Sequence, residues 1–321
     1  MLVPSDIPSN AMGAIMQHSV IPGVVAPPRR GLRLTYMQKR NLWGFLFALP
    51  ALVFFAVFAI YPILRTFYLS FYSFSVVDPP VYVGFENFRN LESDTRFHEA
   101  ILNSFGYVFS TYIPVWILAL LLALALNTKI RARGFFRTVY FIPVVMSWVV
   151  VAAIWKLIFN RQGLMNALFL DNLGIAPKNW LTDSDWAPRA IVIMSVWKEL
   201  GFFMVVFLAG LQAIPSDLYE AAKVDGSNGR QVFRHITVPL LKPTILFVSV
   251  ISMITGLQVF VPQWVMTQGG PVDATLVMSL NIYRTAFVFL EGGRAAAMSV
   301  VLFLIIGTVT LIQFRLARMR D

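Results

Sequence analysis

The sequence predicts an all-α, polytopic membrane protein with six transmembrane helices, and three observations lead there. The chain of 321 residues is 58% hydrophobic and only 13% charged, where a soluble domain carries about 25% charged residues, and its mean hydropathy is +0.70. Six apolar runs recur along it, each near the ~20 residues with which a helix crosses a ~30 Å hydrocarbon layer. Basic residues gather in alternate connections between those runs, as the positive-inside rule requires of a multi-pass chain.

Residues 1–38 read as a mobile cytoplasmic tail. They are rich in Pro, Ser and Gly, and their weakly apolar stretch is broken by His18 and Pro22. A cleaved signal peptide needs a basic start, and the first ten residues hold no Lys or Arg. An amphipathic segment lying on the membrane is the alternative. Residues 39–321 then form the transmembrane domain, with spans expected at 42–61, 107–126, 138–159, 190–213, 244–265 and 295–314. Arg29, Arg30, Arg33, Lys39 and Arg40 precede the first span, and Lys129, Arg131, Arg133 and Arg137 lie around the gap between the second and third. Lys223, Arg230, Arg234 and Lys242 separate the fourth from the fifth, and Arg315, Arg318 and Arg320 follow the sixth. Both termini are thereby expected in the cytoplasm. The long outer loops, 70–104 and 161–188, carry Phe85, Phe88, Trp180 and Trp186, which suit an interfacial aromatic belt or a docking surface.

The net charge of +10 follows this topology and does not point to nucleic acid. The absence of cysteine excludes disulfides and thiolate metal sites. His18, His98 and His235 are too far apart in sequence to share metal-ligand spacing, so no metal site is expected.

The connection at 214–243 is longer than a tight turn needs and reads as two short helices. Ser216 is placed to cap the first, with Asp217 and Glu220 in its first turn, where carboxylates suit the positive helix end. Gly226 is the natural stop, because it adopts positive φ without a steric penalty. Ser227 or Asn228 can cap the next helix, whose Val232, Phe233 and Ile236 share one apolar face. Pro239 and Pro243 end it and start the fifth span. Such an amphipathic helix-break-helix element suits either docking into a soluble partner or lying on lipid headgroups.

Glu220-Ala221-Ala222, then Val224-Asp225-Gly226, Ile236 and Pro239, resemble the EAA loop of permeases from binding-protein-dependent ABC importers. Trp197, Gly201 and the run from Phe207 to Pro215 are similar to the carbohydrate branch of that family, which includes the maltose and glycerol-3-phosphate permeases. Thr267 to Pro271, Thr275, Tyr283, Ala286-Phe287 and Ala297 to Ser299 resemble the maltose-F type, and Tyr61-Pro62 with Gly84 to Phe88 also match. The resemblance covers about residues 42–315. Ser227 departs from it, where the family often has Ala.

The resemblance implies a type I ABC importer permease fold in a bacterial cytoplasmic (inner) membrane, with the loop at 214–243 as the coupling helix. Glu220, Ala221, Ala222, Asp225, Gly226, Ile236 and Pro239 would then engage the ATPase. It also implies a second homologous permease subunit, two ATP-binding cassette subunits, an extracytoplasmic solute-binding protein and a sugar-like solute. No Gly-x-x-x-x-Gly-Lys-Ser/Thr phosphate loop occurs in the chain, so no cofactor is expected on it, and ATP and Mg belong to the partner ATPase.

Polar side chains at bilayer depth are costly and face a cavity or a partner. Lys156 lies near the outer end of the third span, where it can snorkel. Lys198 and Glu199 lie in the outer half of the fourth span, about 100° apart around the helix, so each needs its own contact, by lining a pocket or by pairing between helices. Pro262 cannot donate to the carbonyl of Gln258. Gln258 and Gln263, with Trp264 as a flat apolar surface, therefore make a solute-reading wall or a packed, satisfied kink; Trp197 is a further candidate for the solute path. Pro50, Pro114 and Pro143 read as ordinary kinks. The competing functions are an ion-coupled secondary transporter, thinly supported because Glu199 is the one acid placed clearly in a span, and a membrane enzyme, for which no catalytic constellation occurs.

Overall fold

The computed structural model describes residues 36–75, 78–128 and 133–318. The tail expected at 1–38 lies outside the described residues except for its last three, which open the first helix. The chain up to Phe58 and the chain from Ala59 form separate compact units. In the first, α1 (Tyr36–Phe55) carries Lys39, Arg40 and Asn41 near its start and from Leu42 onward is apolar on every side, as a lipid-facing helix is. It passes through a π-helical turn, Ala56–Ile60, into α2 (Tyr61–Leu69).

Among the described residues five helices are long and apolar enough to cross a membrane: Lys39–Leu69, Thr95–Asn127, Trp186–Gln212, Lys242–Met266 and Gly292–Ala317. The third expected span differs. It is a pair of helices, Gly134–Val145 and Trp148–Ile158, bent by 97°. Hydropathy averaged over a window cannot register such a break, because the apolar run continues through it.

Beyond α2, two-residue strands β1 (Tyr72–Ser73) and β2 (Val81–Tyr82) pair antiparallel, and α3 (Glu86–Glu92) follows. The second span is α4 (Thr95–Asn127), whose buried stripe of Ser104, Tyr107, Val108, Thr111, Tyr112, Val115, Ala119 and Ala123 repeats at helical spacing. That stripe packs on α7 (Trp186–Gln212). Small side chains on such a face let helix backbones approach where no hydrophobic effect drives them together.

Between them lie α5 (Arg133–Val145) and α6 (Trp148–Ile158), with the bend at Met146 and Ser147. The position of α5 against α7 requires glycine at 201, because a Cβ there would sit 2.0 Å from the carbonyl oxygen of Tyr140. Pro143 is therefore no ordinary kink: it stands three residues ahead of the break. Lys156 is also tied down, donating to the carbonyl of Val265 at 3.1 Å.

After α7 come α8 (Ser216–Val224), α9 (Gly229–Val232), a π-helical segment Phe233–Thr237 and α10 (Val238–Leu240). The fifth span is made of α11 (Lys242–Leu257) and α12 (Val261–Met266). Pro262 lies in the first turn of α12, where its missing N–H costs no bond, so the helix breaks ahead of the proline. The chain ends in α13 (Met278–Phe287) and α14 (Gly292–Arg318).

The loops that follow the first and fifth spans are tied to neighbouring helices by ion pairs. Arg96 makes two contacts with the carboxylate of Asp273, at 2.8 and 2.9 Å, and Arg294 meets Asp94 at 2.6 Å. Trp180 is not an interfacial anchor. It is buried against Phe159 and Trp186 and donates its indole N–H to Asn166 Oδ1 at 2.9 Å, as a buried indole N–H requires.

Candidate functional sites

Two places gather the candidate residues: a cavity between the spans and the helical loop between the fourth and fifth.

The cavity has a volume of about 430 Å³ and is bordered by α4, α5, α6, α7, α11 and the break before α12. Lys198, Glu199 and Gln258 all line it, together with Tyr107, Tyr112, Trp148 and Thr255. Lys198 is 4% exposed, and its ammonium donates to the carbonyls of Pro143 (3.1 Å), Val144 (3.3 Å) and Met146 (2.9 Å). These carbonyls lie at the C-terminal end of α5 and in the bend after it, where helical donors run out; that of Pro143 also accepts the N–H of Met146 at 3.3 Å. A cation there also suits the negative end of the helix dipole. The lysine thus holds the broken span in place, with its ammonium 4.8 Å from the centre of the Trp148 ring.

Glu199 makes no hydrogen bond or ion pair within the described residues and borders the cavity. The tyrosine hydroxyls are engaged, that of Tyr107 with Ser195 Oγ at 3.0 Å and that of Tyr112 with Thr255 Oγ1 at 3.1 Å. Gln258 caps the C-terminal end of α11 and is exposed.

Gln263, Trp264 and Trp197 are not brought to this cavity. Gln263 is 2% exposed and borders a different pocket of about 250 Å³ beside Asn103 and Thr275, its Oε1 without a hydrogen-bond partner. Trp264 stacks on Phe260 and meets Tyr283 edge-on, and Trp197 lies against Trp155. Tyr107, Tyr112 and Thr255 escaped the reading of the sequence, although hydroxyl-bearing residues spaced along otherwise apolar spans are the signal that could have found them.

In the loop, α8 stops as a Schellman turn. The N–H of Ser227 bonds the carbonyl of Ala222 at 2.9 Å, the N–H of Gly226 bonds that of Lys223 at 3.1 Å, and Gly226 takes φ +72°. Asn228 and Gln231 then form a reciprocal capping box that starts α9. Ser216 does not cap α8: Pro215 holds the N-cap position, and the Ser216 hydroxyl turns to Asp217 at 3.3 Å. Ala222 is buried, Ile236 and Pro239 are half-buried, and Glu220, Ala221, Asp225 and Gly226 are exposed. The Tyr219 hydroxyl meets Thr237 Oγ1 at 3.2 Å, which ties α8 to the π-helical segment. Leu218 and Val224 stay exposed at 42% and 88%, apolar groups on a helix that otherwise carries charge.

Residues 115–320 match the family of binding-protein-dependent transport system inner membrane components. The chain belongs to that family. It is a multi-pass permease subunit of the inner membrane, all-helical in its spans. It is 38% identical over 284 residues to the lactose transport system permease protein LacF of Rhizobium radiobacter, covering 86% of this chain and 94% of that one. It is 35% identical over 293 residues to the trehalose/maltose transport system permease protein MalF of Thermococcus litoralis, covering 90% and 97%. Among solved structures, a bacterial alginate ABC transporter in complex with alginate pentasaccharide-bound periplasmic protein matches with a TM-score of 0.78 and 25% identity, over 88% of this chain and 96% of that one.

Proposed function

We propose that this permease translocates a sugar or related small polar solute, handed over by an extracytoplasmic binding protein, and that the cavity beside Glu199 and Gln258 lies on its path. The permeases named for lactose and for trehalose and maltose support the solute class. The alginate transporter, solved with its periplasmic protein, supports delivery by a binding protein. In this reading the chain pairs with a second homologous permease and two ATP-binding cassette subunits, and both termini face the cytoplasm of a bacterial cell. Glu220, Ala221, Ala222, Asp225, Gly226, Ile236 and Pro239 form the coupling region, and nucleotide chemistry takes place on the ATPases.

The observation that carries the reading is the exposed, rigidly capped break between α8 and α9 in a chain of this family. Affinity purification of the full-length chain from its native membrane tests it. The expected result is co-isolation of a second permease of the same family and of a chain bearing a Gly-x-x-x-x-Gly-Lys-Ser/Thr phosphate loop. A chain that purifies intact and alone, and transports alone, would contradict it.

A further inference from the structure

We propose that the hydroxyl contact between Tyr219 and Thr237 is the joint that passes movement of α8 to the fifth span, with Tyr219 as the positioning residue that links the loop to the cavity. The inference rests on the reading of residues 214–243 as the coupling region. α8 is held to the rest of the domain at few points. Of its nine residues only Tyr219 and Ala222 are turned inward, at helical spacing on one face, while the rest are exposed. Ala222 has no polar side chain to offer, and its carbonyl serves the capping turn at Ser227. The Tyr219 hydroxyl, 3.2 Å from Thr237 Oγ1, makes the one side-chain hydrogen bond from α8 to another element among the described residues.

Thr237 is where such a joint reaches the spans. It is 4% exposed and ends the π-helical turn Phe233–Thr237, whose wider winding sets the rotation of Thr237 about the helix axis. Its carbonyl accepts the N–H of Leu241 at 2.9 Å, and the carbonyl of Leu241 accepts that of Ile245 at 2.9 Å, so the hydrogen-bonded run continues from the joint into the first turn of α11. Leu241 is fully buried beside α7, where a Cβ at Gly210 would stand 3.0 Å from Leu241 Cδ2 and closer still to Thr244. Ile251 and Thr255 of α11, and Gln258 at its end, then border the cavity. A closely packed helix transmits displacement along its length, so a movement of α8 that draws Thr237 with it reaches the cavity wall. Removing the hydroxyl contact leaves only the covalent chain and the packing of Tyr219 and Ala222 to do so.

Tyr219→Phe and Thr237→Val each remove one partner while keeping the shape of the side chain, and Thr237→Ser keeps the hydroxyl. These variants, and the double variant Tyr219→Phe with Thr237→Val, are assembled into the complete transporter complex in nanodiscs. Two quantities are measured on each: retention of the ATPase on size-exclusion chromatography, and the factor by which ATP hydrolysis rises when the solute-loaded binding protein is added. The first reads docking of the loop, and the second reads communication between the spans and the ATPase.

Either single variant should retain the ATPase as the parent does, while the rise in hydrolysis falls by about threefold to tenfold, the size of one hydrogen bond's contribution. The double variant should lose no more than the larger single loss, since both changes act through one contact, and Thr237→Ser should recover most of the rise. A rise equal to the parent's in both single variants, losses that multiply in the double variant, a Thr237→Ser protein no better than Thr237→Val, or a fall matched by loss of the ATPase would overturn the joint while leaving the coupling region in place. A parent chain that holds no ATPase and transports alone would refute the coupling region itself, and the joint with it.

Discussion

Gly226→Val is expected to leave the protein inserted in the membrane while transport-coupled ATP hydrolysis falls by about tenfold. The glycine occupies the left-handed turn that ends α8, at φ +72°, where an L side chain costs about 1–2 kcal/mol and a β-branched one is worst placed. A Cβ at this position would meet nothing within 4 Å. The effect is therefore one of backbone geometry, transmitted to the angle between α8 and α9 and so to the surface offered to the ATPase. A docking surface weakened by about 1.4 kcal/mol binds tenfold less tightly. Gly226→Asn is the control, because asparagine tolerates the left-handed region and should retain most of the coupling. Glu220→Lys should also lower ATPase association, since Glu220 is exposed on α8. The check is ATPase retention on size-exclusion chromatography together with hydrolysis rates. Normal values for both Gly226→Val and Glu220→Lys would remove the coupling role from this loop.

Lys198→Met is expected to be the most destabilising single change near the cavity. It removes the donor to the carbonyls of Pro143, Val144 and Met146. The carbonyl of Pro143 keeps the N–H of Met146, but leaving those of Val144 and Met146 without partners costs about 1–3 kcal/mol for each group that water does not reach. The bend between α5 and α6 should then relax, and the melting temperature of the complex in detergent should drop clearly. Lys198→Arg keeps the charge but presents a flat fork of donors in place of three rotatable ones, so an intermediate loss is expected. A Lys198→Met complex that melts with the parent would show that the bend is held by other contacts.

Much of the architecture is legible in the sequence because membrane crossing depends on a gross property, ~20 apolar residues in a row, and because the glycine at 226 is demanded by local sterics alone. The third span shows where such reading stops. Pro143 is visible, yet nothing in a hydropathy window distinguishes a gentle kink from a 97° bend, and the partner that satisfies the broken end lies 52 to 55 residues away on α7. Lys198 and Glu199 stand out as intramembrane charges from sequence alone. Their different tasks follow only from the side on which α5 packs, which Gly201 permits. Gln263 and Trp264 stand beside Pro262 in sequence, which allows either a shared wall with Gln258 or a packed kink; the break at residues 258–260 turns α12 so that they do not line the cavity that Gln258 borders. Trp180 reads as an outer-surface aromatic because its partner, Asn166, lies in the same loop but fourteen residues earlier.

The central claim, that this chain is the translocation path of an ATP-driven importer, is tested most directly by solute uptake into proteoliposomes holding the complete co-purified complex, with the external binding protein loaded with its own solute. Accumulation should require ATP on the side bearing the α8–α9 loop, should be abolished by omitting the binding protein, and should be indifferent to an imposed proton or sodium gradient. Uptake that follows the ion gradient and proceeds without ATP or binding protein would contradict the account.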